Sequence, residues 1–295
     1  MSRVVREGRG GWYRLDPVPG ADELEDFYES RYYDLIRRGG RAPELRKLTA
    51  GGDAARRELE WLRGSMYRDL VDSLVEVHGA CSRVLDVGAG TGQFVEFLRA
   101  EGLDAEGIEP AREASESARA AGIPIHTSTL AGWSEDPNHS GAYDAVVALN
   151  VLEHVPDPVA VVRGVRKLLA VGGVAVIRVP NDFSELQEAA QRATGLEPWW
   201  ICAPDHVNYF TFASLCAFLA SEGLPVEHQF TDFPVELFLL MGDVYVGNVA
   251  AGAAMHERRV RMELALPPAV RRRLYTALAA AGFGRNAVAF GRRRD

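Results

Sequence analysis

Between residues 82 and 180 the chain alternates short apolar runs with helical stretches, and this alternation constrains the fold more than any other feature. Apolar runs of this length between turn residues indicate buried strands. Strands that alternate with helices over short connections form right-handed crossovers and a parallel sheet covered on both faces. The sequence therefore predicts an α/β fold. The predicted strands are 83–87, 105–109, 124–127, 143–149 and 174–179.

Residues 1–80 differ in composition and apolar spacing from the alternating segment, and their pattern predicts mostly helix. Residues 1 to about 50 are polar and aromatic, with several glycines and prolines that break regular structure. Asp22 is suited to cap a short helix that begins after it. Apolar residues at helical spacing predict a second helix over 53–77. We therefore expect residues 1–80 to form a helical cap or lid on the rest of the chain.

The remaining part, residues 81–295, is expected to form the main domain. A helix is predicted at 212–221, followed by a strand near 226–233. A mostly helical insertion at about 235–283 then separates that strand from a last one near 287–291.

Composition restricts the classes of partner. The chain has 295 residues and a formal net charge of -8, whereas a protein that binds nucleic-acid phosphate needs a basic face. We therefore expect no nucleic-acid partner.

Cys81, Cys202 and Cys216 show no paired spacing, which indicates a reduced, cytoplasmic setting. No apolar run is long enough to span a bilayer, so no membrane partner is expected. The expected oligomeric state is a monomer or a homodimer.

One basic cluster lies inside the predicted helical insertion. A solvated helix face is the favoured interpretation of this cluster, and a docking surface for an anionic substrate or a partner is the alternative. Its members are Arg258, Arg259, Arg261, Arg271, Arg272 and Arg273.

The turn from Asp86 to Gly92 follows the first strand and opens a helix. Ligands of open parallel sheets bind beyond the carboxyl ends of the strands, and a helix N-terminus offers unpaired N–H groups. The spacing Gly88-x-Gly90-x-Gly92 differs from the G-x-G-x-x-G of dinucleotide-binding folds. An aspartate beside the turn repels a phosphate but suits an ammonium group. The turn therefore favours a ligand with an amino-acid end.

The segment from Val84 to Gly92 resembles the first motif of class I S-adenosylmethionine-dependent methyltransferases. Segments 107–110, 143–158 and 168–173 resemble three later motifs of this family, in the family's order. The resemblance covers about residues 82–180. It implies a Rossmann-like, doubly wound, seven-stranded sheet with the last strand antiparallel. It also implies S-adenosylmethionine as the cofactor and S-adenosylhomocysteine as its product.

The resemblance also implies the residues that hold the cofactor. An acid at the second-strand end, Glu109, would bind the ribose hydroxyls. The segment after the third strand departs from the family because it lacks the acid that often meets the adenine amino group. Adenine would then be held by backbone groups near Leu130 and by Thr129 or Ser128. The implied cofactor-binding residues are Asp86, Gly88, Ala89, Gly90, Gly92, Phe94, Glu109, Pro110, Thr129, Leu130, Asn150 and Val151.

Two histidines are the candidate catalytic residues. Some quinone-pathway O-methyltransferases carry a carboxylate, carboxylate, histidine metal set at the position of His154, but here the first carboxylate is replaced by Asn150. No metal is therefore expected, and packing beneath the cofactor is favoured over catalysis for His154. His206 is the predicted general base, oriented by Asp205, with a hydrogen bond within the loop as the alternative role.

Aromatic residues near these histidines are the candidate acceptor-binding groups, with ordinary core packing as the alternative. They are Trp199, Trp200 and Tyr209, together with Tyr32 and Tyr33 of the predicted cap. The expected function is methyl transfer to a small molecule, with O-methylation of a sugar or natural-product intermediate favoured. Two other functions stay open: a non-catalytic cofactor-binding or partner-binding protein on the same fold, and an RNA or protein methyltransferase.

Overall fold

The structure is a computed structural model that describes residues 3–6, 11–20, 23 and 52–295. The described strands, in chain order, are β1 (Arg3–Arg6), β2 (Tyr13–Asp16), β3 (Arg83–Val87), β4 (Asp104–Ile108), β5 (Ile125–His126), β6 (Tyr143–Leu149), β7 (Leu169–Pro180), β8 (Asn208–Tyr209), β9 (Val226–Phe230) and β10 (Asn286–Arg292). The described α-helices are α1 (Gly52–Gly64), α2 (Met66–His78), α3 (Gln93–Ala100), α4 (Arg112–Ala120), α5 (Leu130–Glu135), α6 (Pro158–Leu168), α7 (Glu185–Thr194), α8 (Phe212–Ser221), α9 (Glu236–Leu240), α10 (Val249–Ala265) and α11 (Pro268–Ala280).

Seven strands form the central sheet in the order β5-β4-β3-β6-β7-β10-β9. The pairs from β5 to β7 are parallel, whereas β10 runs antiparallel to both β7 and β9. This confirms the predicted Rossmann-like sheet with its last strand antiparallel. The chain moves outward from β3 to β5 and then returns to β6. The crevice at the carboxyl ends of β3 and β6 is therefore the expected ligand site of this topology.

Helices cover both faces of the sheet, which explains why its strands are almost continuously apolar. Along β6, alternate side chains enter different clusters: Val146 packs with residues of α6 and α8, and Val147 with residues of α1, α2 and α3. This follows from the two-residue side-chain period of a strand. The sheet is thus fixed from both sides, and its carboxyl edge is a rigid base for a site.

The N-terminal part differs from the predicted helical cap. Strands β1 and β2 form an antiparallel hairpin, and β2 pairs with β8. The predicted single helix over 53–77 is wrong, because α1 and α2 meet at Ser65, whose hydroxyl donates to the Trp61 carbonyl. Both helices pack on the sheet through residues such as Trp61 and Leu70. The division of the chain at residue 80 stays a prediction.

The predicted helical insertion between β9 and β10 is present as α9, α10 and α11. The prediction of a solvated basic face is wrong for two of its arginines. Arg271 is 1% exposed and donates to both carboxylate oxygens of Asp69 on α2. Arg259 is also buried and pairs with Asp232 at 3.1 Å. These guanidinium groups are buried because they tie the insertion to neighbouring elements.

None of the helices in the described part of the chain has the length and apolar character needed to cross a membrane.

Candidate active site

The glycine turn between β3 and α3 adopts a backbone that favours glycine. Gly88, Gly90 and Gly92 have φ angles of 74°, 54° and 79°, all in the left-handed region. The Gly88 and Ala89 N–H groups donate to the Ile108 carbonyl at 2.9 and 3.0 Å. The turn is thereby fixed to the end of β4, and the N-terminus of α3 opens onto the carboxyl edge of the sheet.

Space around the turn fits a ligand that lies against backbone. A Cβ atom on Gly88 would lie 3.0 Å from the Val151 side chain, and one on Gly107 would lie 2.6 Å from the Ala89 Cβ. Around Gly90, in contrast, no described atom lies within 4 Å of the Cβ position. The turn is therefore tightly packed on two sides and open at its centre, where an adenosyl group with an amino-acid end fits.

Two acids flank the turn. Glu109 accepts hydrogen bonds from the Gly90 N–H at 2.9 Å and from the Ala111 N–H at 2.8 Å. Asp86 is buried, and this burial, with the nearby charge of Glu109, raises the pKa of Asp86 to about 8. An ammonium group placed here would neutralise this unfavourable charge. The arrangement fits the predicted roles of Asp86 and Glu109, which stay predictions.

The other predicted cofactor-binding residues differ in their exposure and in the contacts that they make. Thr129 caps α5, since its hydroxyl accepts from the Gly132 N–H at 3.2 Å, and the Leu130 side chain packs against Gly164 of α6. Pro110 is exposed. The Phe94 ring lies in the core, 4.9 Å from the Tyr67 ring. Packing occupies the Phe94 ring, and its predicted role in cofactor binding stays a prediction.

Asn150 lies at the carboxyl end of β6 with a φ of 58°, beside Val151, which covers Gly88. Its amide donates to Glu153 at 2.8 Å and accepts from the Arg178 guanidinium. Glu153 is 1% exposed, and burial raises the pKa of this carboxyl. Some quinone-pathway O-methyltransferases are expected to carry a carboxylate at the position of Asn150. In this chain the Asn150 amide lies instead between the Glu153 carboxylate and the Arg178 guanidinium.

The two predicted catalytic histidines lie side by side. The His154 and His206 rings are 4.9 Å apart and perpendicular, and His154 Nδ1 lies 3.0 Å from the Asp205 carbonyl oxygen. Within the described residues, His154, Asp205 and His206 are the one group of metal-ligating side chains, with ligand atoms within 4.8 Å of one another. Such a group can hold and pass on a proton, and it is also compatible in spacing with a metal ion.

Aromatic rings form a wall next to these histidines. Phe183, which was not among the predicted residues, contacts the rings of Trp200 and Tyr209 edge-on at 5.7 and 5.9 Å. Trp199 lies edge-on to Trp200, and Tyr13 of the hairpin stacks on Phe183 at 4.4 Å. The three predicted acceptor-binding aromatics thus belong to one wall. The remaining two predicted ones, Tyr32 and Tyr33, lie outside the described residues.

Comparisons with known proteins agree with this geometry. A model of a methyltransferase domain matches residues 57–229, more than half of the chain. A ubiquinone biosynthesis O-methyltransferase of Psychrobacter cryohalolentis is 34% identical over 136 residues, which are 42% of this chain and 52% of that relative. The protein of that name from Xanthomonas axonopodis pv. citri is 30% identical over 167 residues, 54% of this chain and 68% of the relative. The chain spans about half the length of the first two curated relatives that it matches.

Solved structures support the fold. The 1,6-didemethyltoxoflavin-N1-methyltransferase of Burkholderia thailandensis, solved with 1,6-didemethyltoxoflavin and S-adenosylhomocysteine, aligns over 100% of both chains with a TM-score of 0.52 and 14% identity. At 14% identity this structural similarity supports the fold alone. The family match confirms the resemblance carried by the four sequence motifs. The chain therefore belongs to the methyltransferase domain family, and its sheet has the Rossmann-like fold of class I S-adenosylmethionine-dependent methyltransferases.

Proposed function

We propose that the chain binds S-adenosylmethionine on the turn from Asp86 to Gly92 and transfers its methyl group to a small molecule. The observation that carries this proposal is the pair of acids, Asp86 and Glu109, that flanks the open centre of the turn. A buried carboxylate suits the ammonium of the cofactor, and a carboxylate at the end of β4 suits two ribose hydroxyls. The cofactor supplies an electrophilic methyl group, and the protein aligns it with the acceptor.

On the acceptor side, we propose an oxygen nucleophile. His206 would accept the hydroxyl proton as general base, with Asp205 and His154 next to it. Relatives whose names describe O-methyl transfer in ubiquinone biosynthesis support oxygen as the atom that is methylated. A sugar or natural-product intermediate is our specific proposal for the acceptor. The RNA alternative is weakened, because Arg259 and Arg271, which belonged to its basic cluster, are buried in ion pairs.

Calorimetry with S-adenosylhomocysteine tests the cofactor site. We expect saturable binding to the intact chain and a loss of about tenfold or more in affinity for Asp86→Ala and for Glu109→Ala, because each removes a charge-assisted contact. Glu113→Ala, which removes an exposed acid on α4, is the matched control and should bind normally. An intact chain that does not bind the cofactor would contradict the proposal.

A second measurement separates an enzyme from a non-catalytic binding protein. With an acceptor found by screening sugar and phenol hydroxyls, His206→Asn should lower kcat by about a hundredfold and remove the fall of kcat at low pH that protonation of the base causes. Its affinity for S-adenosylhomocysteine should stay unchanged. If His206→Asn keeps both kcat and the pH profile, His206 is not the base.

A further inference from the structure

A second group of charged side chains lies at the carboxyl edge of the sheet, beyond the cofactor turn. Asp182 follows β7, Arg285 precedes β10, and Glu236 is the first residue of α9. The antiparallel pairing of Asn286 with Pro180 brings Arg285 next to Asp182, and its guanidinium donates to Asp182 Oδ1 at 2.9 Å. Helix α9 packs against α7, and Glu236 lies close enough to Arg285 and Asp182 for their charges to act on its carboxyl.

The carboxylates of this group are buried and incompletely paired. Asp182 and Glu236 are each 1% exposed. Among the described residues, neither oxygen of Glu236 has a hydrogen-bond partner in another residue, and Asp182 Oδ2 has no partner. Buried side-chain oxygens in folded proteins are nearly always hydrogen-bonded, and exceptions often belong to functional sites. Three unsatisfied acceptor atoms in one buried group therefore indicate a missing donor.

The charges of the group define the missing donor. Asp182 and Glu236 carry two negative charges when ionised, and Arg285 compensates one of them. Burial raises the pKa of both carboxyls, and the charge of Arg285 offsets this effect only in part. A protonated amine supplies one positive charge and up to three N–H donors, so it matches the deficit in both charge and hydrogen bonds.

The position of this group relates it to the acceptor. Phe183, next to Asp182 in sequence, belongs to the aromatic wall with Trp200 and Tyr209. Two further polar atoms in the region lack partners among the described residues: Trp200 Nε1 and the Tyr245 hydroxyl. Burial, together with the nearby charge of Glu236, raises the pKa of Tyr245. Strand β7 is two strands from β3, about 10 Å at the usual strand spacing. A small molecule can bridge this distance.

We propose that Asp182, Glu236 and Arg285 form an acceptor subsite that binds a protonated amino group of the small-molecule substrate. This inference rests on the proposed function, since it places the amine-bearing end of the acceptor beside the aromatic wall and its nucleophile toward the cofactor. Glu236 and Asp182 act as binding residues, and the carboxylates exclude anionic acceptors from this end of the site.

A matched pair of probes tests the subsite. Benzylamine and benzyl alcohol have nearly the same shape but differ in charge, and their binding to the S-adenosylhomocysteine-saturated chain can be measured by ligand-observed NMR titration. We expect benzylamine to bind about tenfold more tightly than benzyl alcohol. Glu236→Gln and Asp182→Asn should each reduce this preference to about twofold or less while leaving cofactor affinity unchanged.

Control variants and measurements separate a loss of the amine subsite from a loss of folding and from a failure of the proposed function. Glu227→Gln, an exposed acid on β9, should keep the amine preference. Glu236→Gln should unfold at a higher temperature than the original chain, because it removes a buried unpaired charge. Equal binding of the two probes, no binding of either, or saturable binding of MgCl2 alone that Glu236→Gln abolishes would each overturn the subsite. Failure of S-adenosylhomocysteine to bind would instead overturn the proposed function, and the probes would then be compared on the cofactor-free chain.

Discussion

At the scale of single residues, Asp86 combines burial with a like charge nearby, and these raise its pKa to about 8. In an unfolded chain an aspartate has a pKa of about 3.9. The folded state therefore binds this proton more tightly than the unfolded state. The resulting contribution to stability is fully present below pH ~4 and is lost as the pH rises through about 8. The cofactor's ammonium would offset this loss, which links stability to binding.

Asp86→Asn should therefore stabilise the cofactor-free chain in a pH-dependent way. Each pKa unit corresponds to about 1.4 kcal/mol, and we expect a gain on the order of 1–3 kcal/mol near pH 8 and none near pH 4. Thermal unfolding between pH 4 and pH 9 measures this difference. Asp104→Asn, an exposed acid at the start of β4, should show no such trend. A variant Asp86→Asn that is less stable than the original at pH 8 would contradict the argument.

The sequence predicted the candidate site residues that depend on local spacing and did not predict those that depend on tertiary contacts. Asp86, Glu109 and the glycines follow directly from position along β3 and β4. Arg178 and Phe183 were not predicted, because their partners, Asp232 and Tyr13, lie far away in sequence. Phe183 does follow β7, so the rule that sites lie beyond strand carboxyl ends was an available signal.

At the scale of secondary-structure elements, buried arginines fix the helical insertion to the rest of the fold. Arg271 of α11 donates to Asp69 of α2 and to the carbonyls of Gly64 and Glu263. Trp61 of α1 donates to Glu263 of α10 at 2.6 Å. These contacts join α1 and α2 to α10 and α11 across sequence separations of 202 residues. The insertion is therefore held in place by polar contacts that local sequence patterns do not reveal.

Removal of one partner from this buried pair should be costly. We expect Arg271→Ala to lower the free energy of unfolding by about 3–5 kcal/mol, because it leaves the Asp69 carboxylate buried without its cation. Arg273→Ala, two residues further along the same helix but exposed, should change it by less than about 0.5 kcal/mol. Urea unfolding measures both. The double variant Asp69→Leu/Arg271→Met should recover most of the loss, and equal losses for Arg271→Ala and Arg273→Ala would refute this role.

Element prediction was best where a helix or strand carries its own periodicity. The predicted helix over 212–221 coincides with α8, and the predicted parallel strands are present, four of them with small shifts in their ends, whereas β7 begins at Leu169 instead of the predicted residue 174. Helix α7 was not predicted, although Ser184 and Gln187 form a capping box that was available as a sequence signal. The hairpin of β1 and β2 was missed for another reason, since β2 pairs with β8, and long-range pairing has no local signal.

At the scale of the whole molecule, the N-terminal hairpin is continuous with the main core. Trp12 is 4% exposed and lies in the same apolar cluster as the residues of β6 and β7. Its ring stacks on Phe210 at 5.7 Å and contacts Phe218 of α8 at 4.7 Å. The indole N–H donates to Asn208. The hairpin also supplies Tyr13 to the aromatic wall, where its ring stacks on Phe183.

Because Trp12 packs in the main core, we expect the N-terminal hairpin and the sheet to unfold together. This expectation tests the predicted division of the chain at residue 80. Trp12→Ala should lower the stability of the entire chain by about 3–5 kcal/mol, and calorimetric unfolding should keep a single transition at a lower temperature. Val18→Ala, which truncates a more exposed apolar side chain of the same segment, should have little effect. If Trp12→Ala instead splits unfolding into two transitions and leaves the main one in place, the N-terminal part is an independent cap. A single shifted transition means that the hairpin and the sheet fold as one unit, because the Trp12 ring packs in the same apolar cluster as residues of the sheet.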